Sequence, residues 1–400
     1  MVANSSTHSL LNIRWMDATS DECLSELRSL LRCQTKITAA RNLQGNEALT
    51  FVDFLDQVLA RSSLDDKFQQ RCLLLLSKIC KARGILPTSY FLREEIHNGQ
   101  IHYCGGFADV IKGEYSGSPV AIKRLRVGQG DYSRVFKWLC REAIGWKRLT
   151  HPNILPLLGI SIVPDNNRLD ILTEWMPSGN IMEYTKSNPE ANRLRLLSEV
   201  TSAVAYLHRL KIVHGDLKGK NVLVDNTAAA RISDFGLMTM ADSGTNVFSQ
   251  SSISSSGTHR WMSPELLYPE NFGSDGRKTR ESDCYALGML IYEVLSGHPP
   301  FYHMRTLSAV IAVVIDGQRP ERPPNAESLG FSDAIWGLLQ LCWSESSSTR
   351  PTAEQLFDEL SSAADTWVPP SVYPVEAVTN NDIASADSTG LSRIMMSSTN

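Results

Sequence analysis

The chain has 400 residues, room for one large two-part domain with extensions, and a formal net charge of −4. That charge argues against nucleic acid as a partner, which would call for a basic patch. No apolar run is long enough for a membrane span, and residues 1–9 lack the basic start and apolar centre of a secretory signal, so the expected compartment is intracellular, cytoplasmic or nuclear.

Residues 1–20 are polar, rich in Ser, Thr and Asn, and read as a disordered lead. Residues 21–88 read as a helical extension of about two to four amphipathic helices. Leu24, Leu27, Leu30 and Leu31 share one face; Phe51, Leu55, Val58 and Leu59 share a second. Phe68, Cys72, Leu75, Leu76 and Ile79 line a third, which Gly84 and Pro87 would terminate. A bundle this small buries little surface alone, so residues 21–88 are expected to make an intramolecular contact or to serve as a helical adaptor for a partner. From residue 95 the text becomes β-rich around one helix. Segments 108–115 and 119–127 read as paired strands about a turn with Gly117, 133–149 as the helix carrying Glu142, and 154–162 and 169–174 as two further strands. Beyond Asn180 the chain reads as mainly helical, with Cys284, Leu287, Leu290, Ile291, Val294 and Leu295 showing the apolar density of a central helix. Residues 366–400 lack periodicity and read as a disordered Ser/Thr-rich tail. The eight cysteines are scattered without CxxC pairing and read as reduced thiols, not as a disulfide framework or a zinc site.

The chemistry-bearing text is His214-Gly215-Asp216-Leu217-Lys218-Gly219-Lys220-Asn221, followed by Asp234-Phe235-Gly236. It places two carboxylates, an amide and an ammonium at the spacing that phosphoryl transfer from ATP needs. Asp216 would orient the attacking hydroxyl and take its proton, Asn221 and Asp234 would hold Mg2+ against the triphosphate, and Lys218 would neutralise charge on the group in flight. A three-letter match alone is weak; the signal is order and spacing. Upstream stand Val120-Ala121-Ile122-Lys123, then Glu142, then His151-Pro152-Asn153-Ile154. Downstream stand Ser263-Pro264-Glu265, then Asp283 ahead of an apolar helix with Gly288, then Arg350-Pro351-Thr352.

With these pieces in this order the chain resembles the eukaryotic protein kinase family over roughly residues 95–362, and most of all its tyrosine-kinase-like group. The resemblance implies an α+β, two-lobed protein kinase fold, a small β-rich lobe over 95–174 and a larger mainly helical lobe over 177–362, preceded by the short helical region. It implies ATP and Mg2+ as cofactors and proteins as substrates. Lys123 would bind the α- and β-phosphates, held by an ion pair with Glu142. Val110, Ala121 and Leu223 would enclose the adenine, with Thr173 as a small gatekeeper and Glu174 and Met176 offering backbone groups to its edge. Lys218 and Thr258 resemble the Ser/Thr-type catalytic machinery. Glu265 with Arg350, and Asp283 under the catalytic loop, would be structural.

Two departures from the family pattern stand out. Aligned on Val110, the glycine-rich loop keeps Gly105 and adds Gly106, but Tyr103 replaces the first glycine and Ala108 the third, which should stiffen the loop. Gly215 replaces the arginine that ordinarily receives an activation-loop phosphate, although hydroxyls crowd residues 249–256. Two other readings remain open at this level. One is a pseudokinase or scaffold that binds nucleotide without efficient transfer, favoured by the altered loop. The other is a small-molecule phosphotransferase that shares the HGD text.

Overall fold

Four helices open the described chain: α1 (Asp21–Arg32), α2 (Gln34–Arg41), α3 (Gly45–Leu59) and α4 (Asp66–Arg83). The computed structural model describes residues 21–61, 65–104, 108–127, 132–163, 168–234, 239–240 and 258–367. The expectations for the lead, for Gly105 and Gly106, for Phe235 and Gly236 and for the hydroxyls of 249–256 lie outside those residues, as does most of the tail. The apolar stripes predicted for the helices are buried at Leu27, Leu30 and Leu31 in α1, Phe51, Leu55 and Val58 in α3, and Phe68, Cys72, Leu75, Leu76 and Ile79 in α4, while Leu24 and Leu59 are half-buried. Asp65 caps α4 by accepting the Phe68 N–H at 2.9 Å, and Gly84 ends it at φ 65, a left-handed conformation open to glycine.

The β-rich part is one antiparallel sheet of order β1-β2-β3-β5-β4, with β1 (His97–Cys104), β2 (Ala108–Tyr115), β3 (Ser118–Leu125), β4 (Leu157–Val163) and β5 (Arg168–Glu174). Helix α5 (Tyr132–Trp146) joins β3 to β4. The strand expected over 154–162 starts only at Leu157, because Pro156 offers no N–H to a ladder. Ile154 instead bridges to Ile232. β1 was not singled out in the sequence; it is exposed along its whole length, so no apolar alternation marks it.

The remainder is mainly helical: α6 (Ile181–Ser187), α7 (Arg193–Arg209), α8 (Pro264–Leu267), α9 (Arg280–Ser296), α10 (Leu307–Ile315), α11 (Asp333–Cys342) and α12 (Ala353–Ala364). Among these run short ladders of β6 (Ile212–Val213) with β9 (Thr239–Met240) and of β7 (Val222–Val224) with β8 (Ala230–Ile232). This is the α+β arrangement of a sheet lobe and a helical lobe that the resemblance implied. Helix α9 is buried from Ser282 to Ser296 and forms the axis of the helical lobe. Trp367, read from sequence as tail, packs on the core beside Gly330.

One apolar core runs without a break from the N-terminal helices through α5 into the helical lobe. A second, small cluster of Ile111, Val120, Ile122 and Leu172 covers the other face of the sheet.

Candidate active site

The sheet register sorts the predicted nucleotide-binding residues by face. Val110 lies opposite Lys123, and Ala121 opposite Thr173. Directly paired residues share a face, and so do residues two apart in a strand, so Val110, Ala121, Lys123 and Thr173 stand together. The alternate residues Ile111, Val120, Ile122 and Leu172 make the small cluster on the opposite face. Glu174 ends β5 and is exposed, whereas Met176 is buried two residues later. Leu223 is half-buried in β7, between the buried Val222 and Val224.

The catalytic-loop text is held from below by Asp283, at the start of α9. Its carboxylate accepts the His214 and Gly215 N–H groups, each at 2.8 Å, and meets His208 Nε2 at 3.0 Å. Burial works to raise the Asp283 pKa, but the His208 hydrogen bond and charge hold it below the usual carboxylate range. His214 is also buried, and burial keeps its imidazole neutral. Nε2 lies 3.1 Å from the Ser233 carbonyl and so carries the proton, leaving Nδ1 to accept the Asp216 N–H at 3.2 Å. Gly215 sits between them at φ 75, where a side chain would be strained.

Asp216 itself is nearly buried. Lys218 Nζ stands 3.0 and 3.2 Å from its two carboxylate oxygens and 2.8 Å from Thr258 Oγ1. Asn221 Nδ2 donates to the Asp216 carbonyl at 2.7 Å and to its Oδ2 at 2.8 Å. That use of the amide nitrogen leaves Oδ1 as the Asn221 side-chain atom with lone pairs to offer a cation. The Asn221 carbonyl accepts both the N–H and the hydroxyl of Ser233, at 2.8 and 3.0 Å, which ties the loop to the residue before Asp234.

Asp234 takes φ 66, a left-handed conformation that asparagine and aspartate tolerate better than most residues and that costs on the order of 1–3 kcal/mol. Its carboxylate forms an ion pair with Lys123. Burial works to raise its pKa, but the Lys123 charge and hydrogen bond hold it below the ordinary range. Lys123, expected to pair with Glu142, is thus engaged by Asp234. Glu142 lies on α5, and its side chain falls outside the described atoms. Oxygen donors from one amide and one carboxylate suit Mg2+, which is ordinarily completed by substrate phosphates and water.

Glu265 and Arg350 form the expected pair, and Arg350 also donates to the Ser344 and Glu281 carbonyls, at 3.0 and 3.1 Å. Sequence reasoning missed Glu293. One of its oxygens accepts both the Gly219 N–H at 2.8 Å and the Trp261 Nε1–H at 2.9 Å, joining the catalytic loop to the segment before Ser263. Burial raises its carboxyl to about 7. The available signal was a lone acid inside the apolar run of α9.

A family model described as protein tyrosine and serine/threonine kinase matches residues 98–360. The serine/threonine-protein kinase STY46 of Arabidopsis thaliana is 29% identical over 266 residues, covering 65% of this chain and 43% of that protein. The probable serine/threonine-protein kinase kinX of Dictyostelium discoideum is 32% identical over 278 residues, covering 68% of this chain and 24% of its own length. The serine/threonine-protein kinase CTR1 of Arabidopsis thaliana is 31% identical over 274 residues, covering 66% of this chain and 31% of its own. The match therefore spans less than half the length of each of these relatives. The chain belongs to the protein kinase family, and its catalytic-loop text resembles that of the tyrosine-kinase-like group.

Proposed function

We propose that the protein is an active serine/threonine kinase that transfers the γ-phosphate of ATP to hydroxyls of other proteins in intracellular signalling. The observation that carries this reading is Lys218, whose ammonium bridges the Asp216 carboxylate and the Thr258 hydroxyl. An acid and a cation are thereby oriented toward one point, as proton removal and charge balance at an attacking hydroxyl require.

In this reading Asp216, aligned by Asn221 and Lys218, accepts the hydroxyl proton. Lys218 balances the negative charge that builds up beside it. Asn221 Oδ1 and the Asp234 carboxylate are the ligands for Mg2+, which when bound would neutralise phosphate charge. Lys123 binds phosphate, and Val110 and Ala121 from above with Leu223 from below enclose the adenine. Gly105 and Gly106 would approach the phosphates through backbone N–H groups. The substrates and partners of the whole protein belong to the same proposal. So does assigning residues 21–88 as a unit apart from a catalytic domain over 95–362. The alternative of a nucleotide-binding scaffold gains nothing from the relatives, whose names are those of serine/threonine kinases.

The test is transfer of labelled γ-phosphate by the full chain to a generic protein substrate beside Asp216→Asn, followed by phosphoamino-acid analysis. Transfer to Ser or Thr that the variant loses by about 10²-fold or more supports the reading. Transfer no greater than that of the variant, with Mg-ATP still raising the melting temperature, would return the scaffold reading.

A further inference from the structure

The N-terminal helices lie outside the segment matched by the family, which begins at residue 98, yet they share one buried core with it. Their contact is with the back of α5. Tyr90, completely buried after α4, donates its hydroxyl to the Ile144 carbonyl at 3.4 Å. Arg148, in the turn after α5, donates to the Asp56 carbonyl of α3 at 3.1 Å and forms an ion pair with the Asp56 carboxylate. Asp56 is itself steadied by the Ser89 hydroxyl at 2.6 Å. Cys80 of α4 and Cys140 of α5 are both fully buried. A side chain at Gly84, the cap of α4, would touch Lys137.

The hydrogen-bonded positions on α5 and its following turn are 144 and 148, four apart, and Gly84 lies beside Lys137, seven residues before 144. That is a single helical stripe. Position 142 is two residues before Ile144, about 200° round the helix at about 100° per residue, and therefore on the opposite side. The helical unit thus grips the back of the element whose front carries Glu142.

We propose that Asp56 and Tyr90 are positioning residues for phosphoryl transfer. Through Arg148 and the Ile144 carbonyl they fix where α5 stands, and so whether the carboxylate at position 142 can take Lys123 when Asp234 turns to a metal ion. The contact is a permanent buttress and not a detachable inhibitor, because α4 packs on α5 within one continuous apolar core that parting the two helices would open to water. This inference rests on the kinase reading for its consequence, but its structural arm stands apart from activity.

The experiment uses the full chain with Asp56→Asn, which keeps the shape and removes the charge, Tyr90→Phe, which removes only the hydroxyl, and Asp56→Glu as the conservative rescue. Amide hydrogen exchange over 132–146 and the Mg-ATP-induced rise in melting temperature are measured beside KM for ATP and kcat. Faster exchange confined to α5, a weaker nucleotide shift and a KM for ATP raised about 10-fold, all recovered in Asp56→Glu, support the proposal. A lower melting temperature with unchanged α5 exchange and unchanged KM would make both residues merely structural and overturn it. If the wild-type chain transfers no phosphate, the kinase reading fails, while the exchange and nucleotide-shift measurements still decide whether this contact positions α5.

Discussion

Arg350 and Glu265 meet in a two-pronged ion pair, Nη1 to Oε1 at 2.6 Å and Nη2 to Oε2 at 2.8 Å, with the Arg350 side chain wholly out of solvent. Breaking one half strands a buried charge, so Arg350→Ala or Glu265→Ala should lower unfolding free energy by about 3–5 kcal/mol in denaturant titration. Burial pushes the Glu265 pKa up, but the Arg350 hydrogen bond and charge hold it below its ordinary value. A depressed carboxylate stabilises above its unfolded pKa, and that contribution is lost as pH falls through the folded one. The Arg350→Ala penalty should therefore shrink in acid.

Glu293 carries the opposite sign. Its carboxyl is raised to about 7, so its contribution to stability is full below its unfolded value and declines as pH rises through about 7. Glu293→Gln keeps an oxygen for both the Gly219 and Trp261 donors and should flatten this decline in melting curves taken between pH 5 and 8. Glu293→Ala leaves both buried donors without an acceptor, at about 1–3 kcal/mol each. A pH profile identical in wild type and Glu293→Gln would remove the assignment.

Lys123 is expected to matter for transfer more than for folding, because it is a partly exposed cation paired with the Asp234 carboxylate. Lys123→Met should cut kcat/KM by about 10²–10³-fold, as loss of one electrostatic stabiliser does, with the melting temperature close to that of wild type. A parallel collapse of melting temperature would instead assign Lys123 a structural role.

Gly215, at φ 75 and donating to Asp283 Oδ1 at 2.8 Å, brings no cation to the loop at the place where the family carries an arginine. Enzyme stripped of phosphate by a phosphatase is accordingly expected to keep its basal transfer rate. Abolition of activity by that treatment would show that another cation receives an activating phosphate.

Much of the fold was legible. The stripes of α1, α3 and α4 followed from helical periodicity, and the stop of α4 followed from Gly84. The strand 108–115 was read with its bounds, since its turn at Gly117 and its β-branched residues agree. β1 was missed because an exposed strand has no buried face to impose alternation. Pro156 shifted the start of β4 because it withdraws a ladder donor.

The sequence by itself determined the chemistry of the loop from His214 to Asn221, because covalent spacing already brings Lys218 and Asn221 within reach of Asp216, two and five residues away. Periodicity determined which helix faces would be buried, though not against what. Tertiary structure alone decided which distant groups meet: Lys123 with Asp234 across 111 positions, Arg148 with Asp56 across 92, and Gly219 with Glu293 across 74. A charge in a sequence states that it needs a partner or water. Only the packed chain, by excluding water from elements such as α9, settles which partner it has.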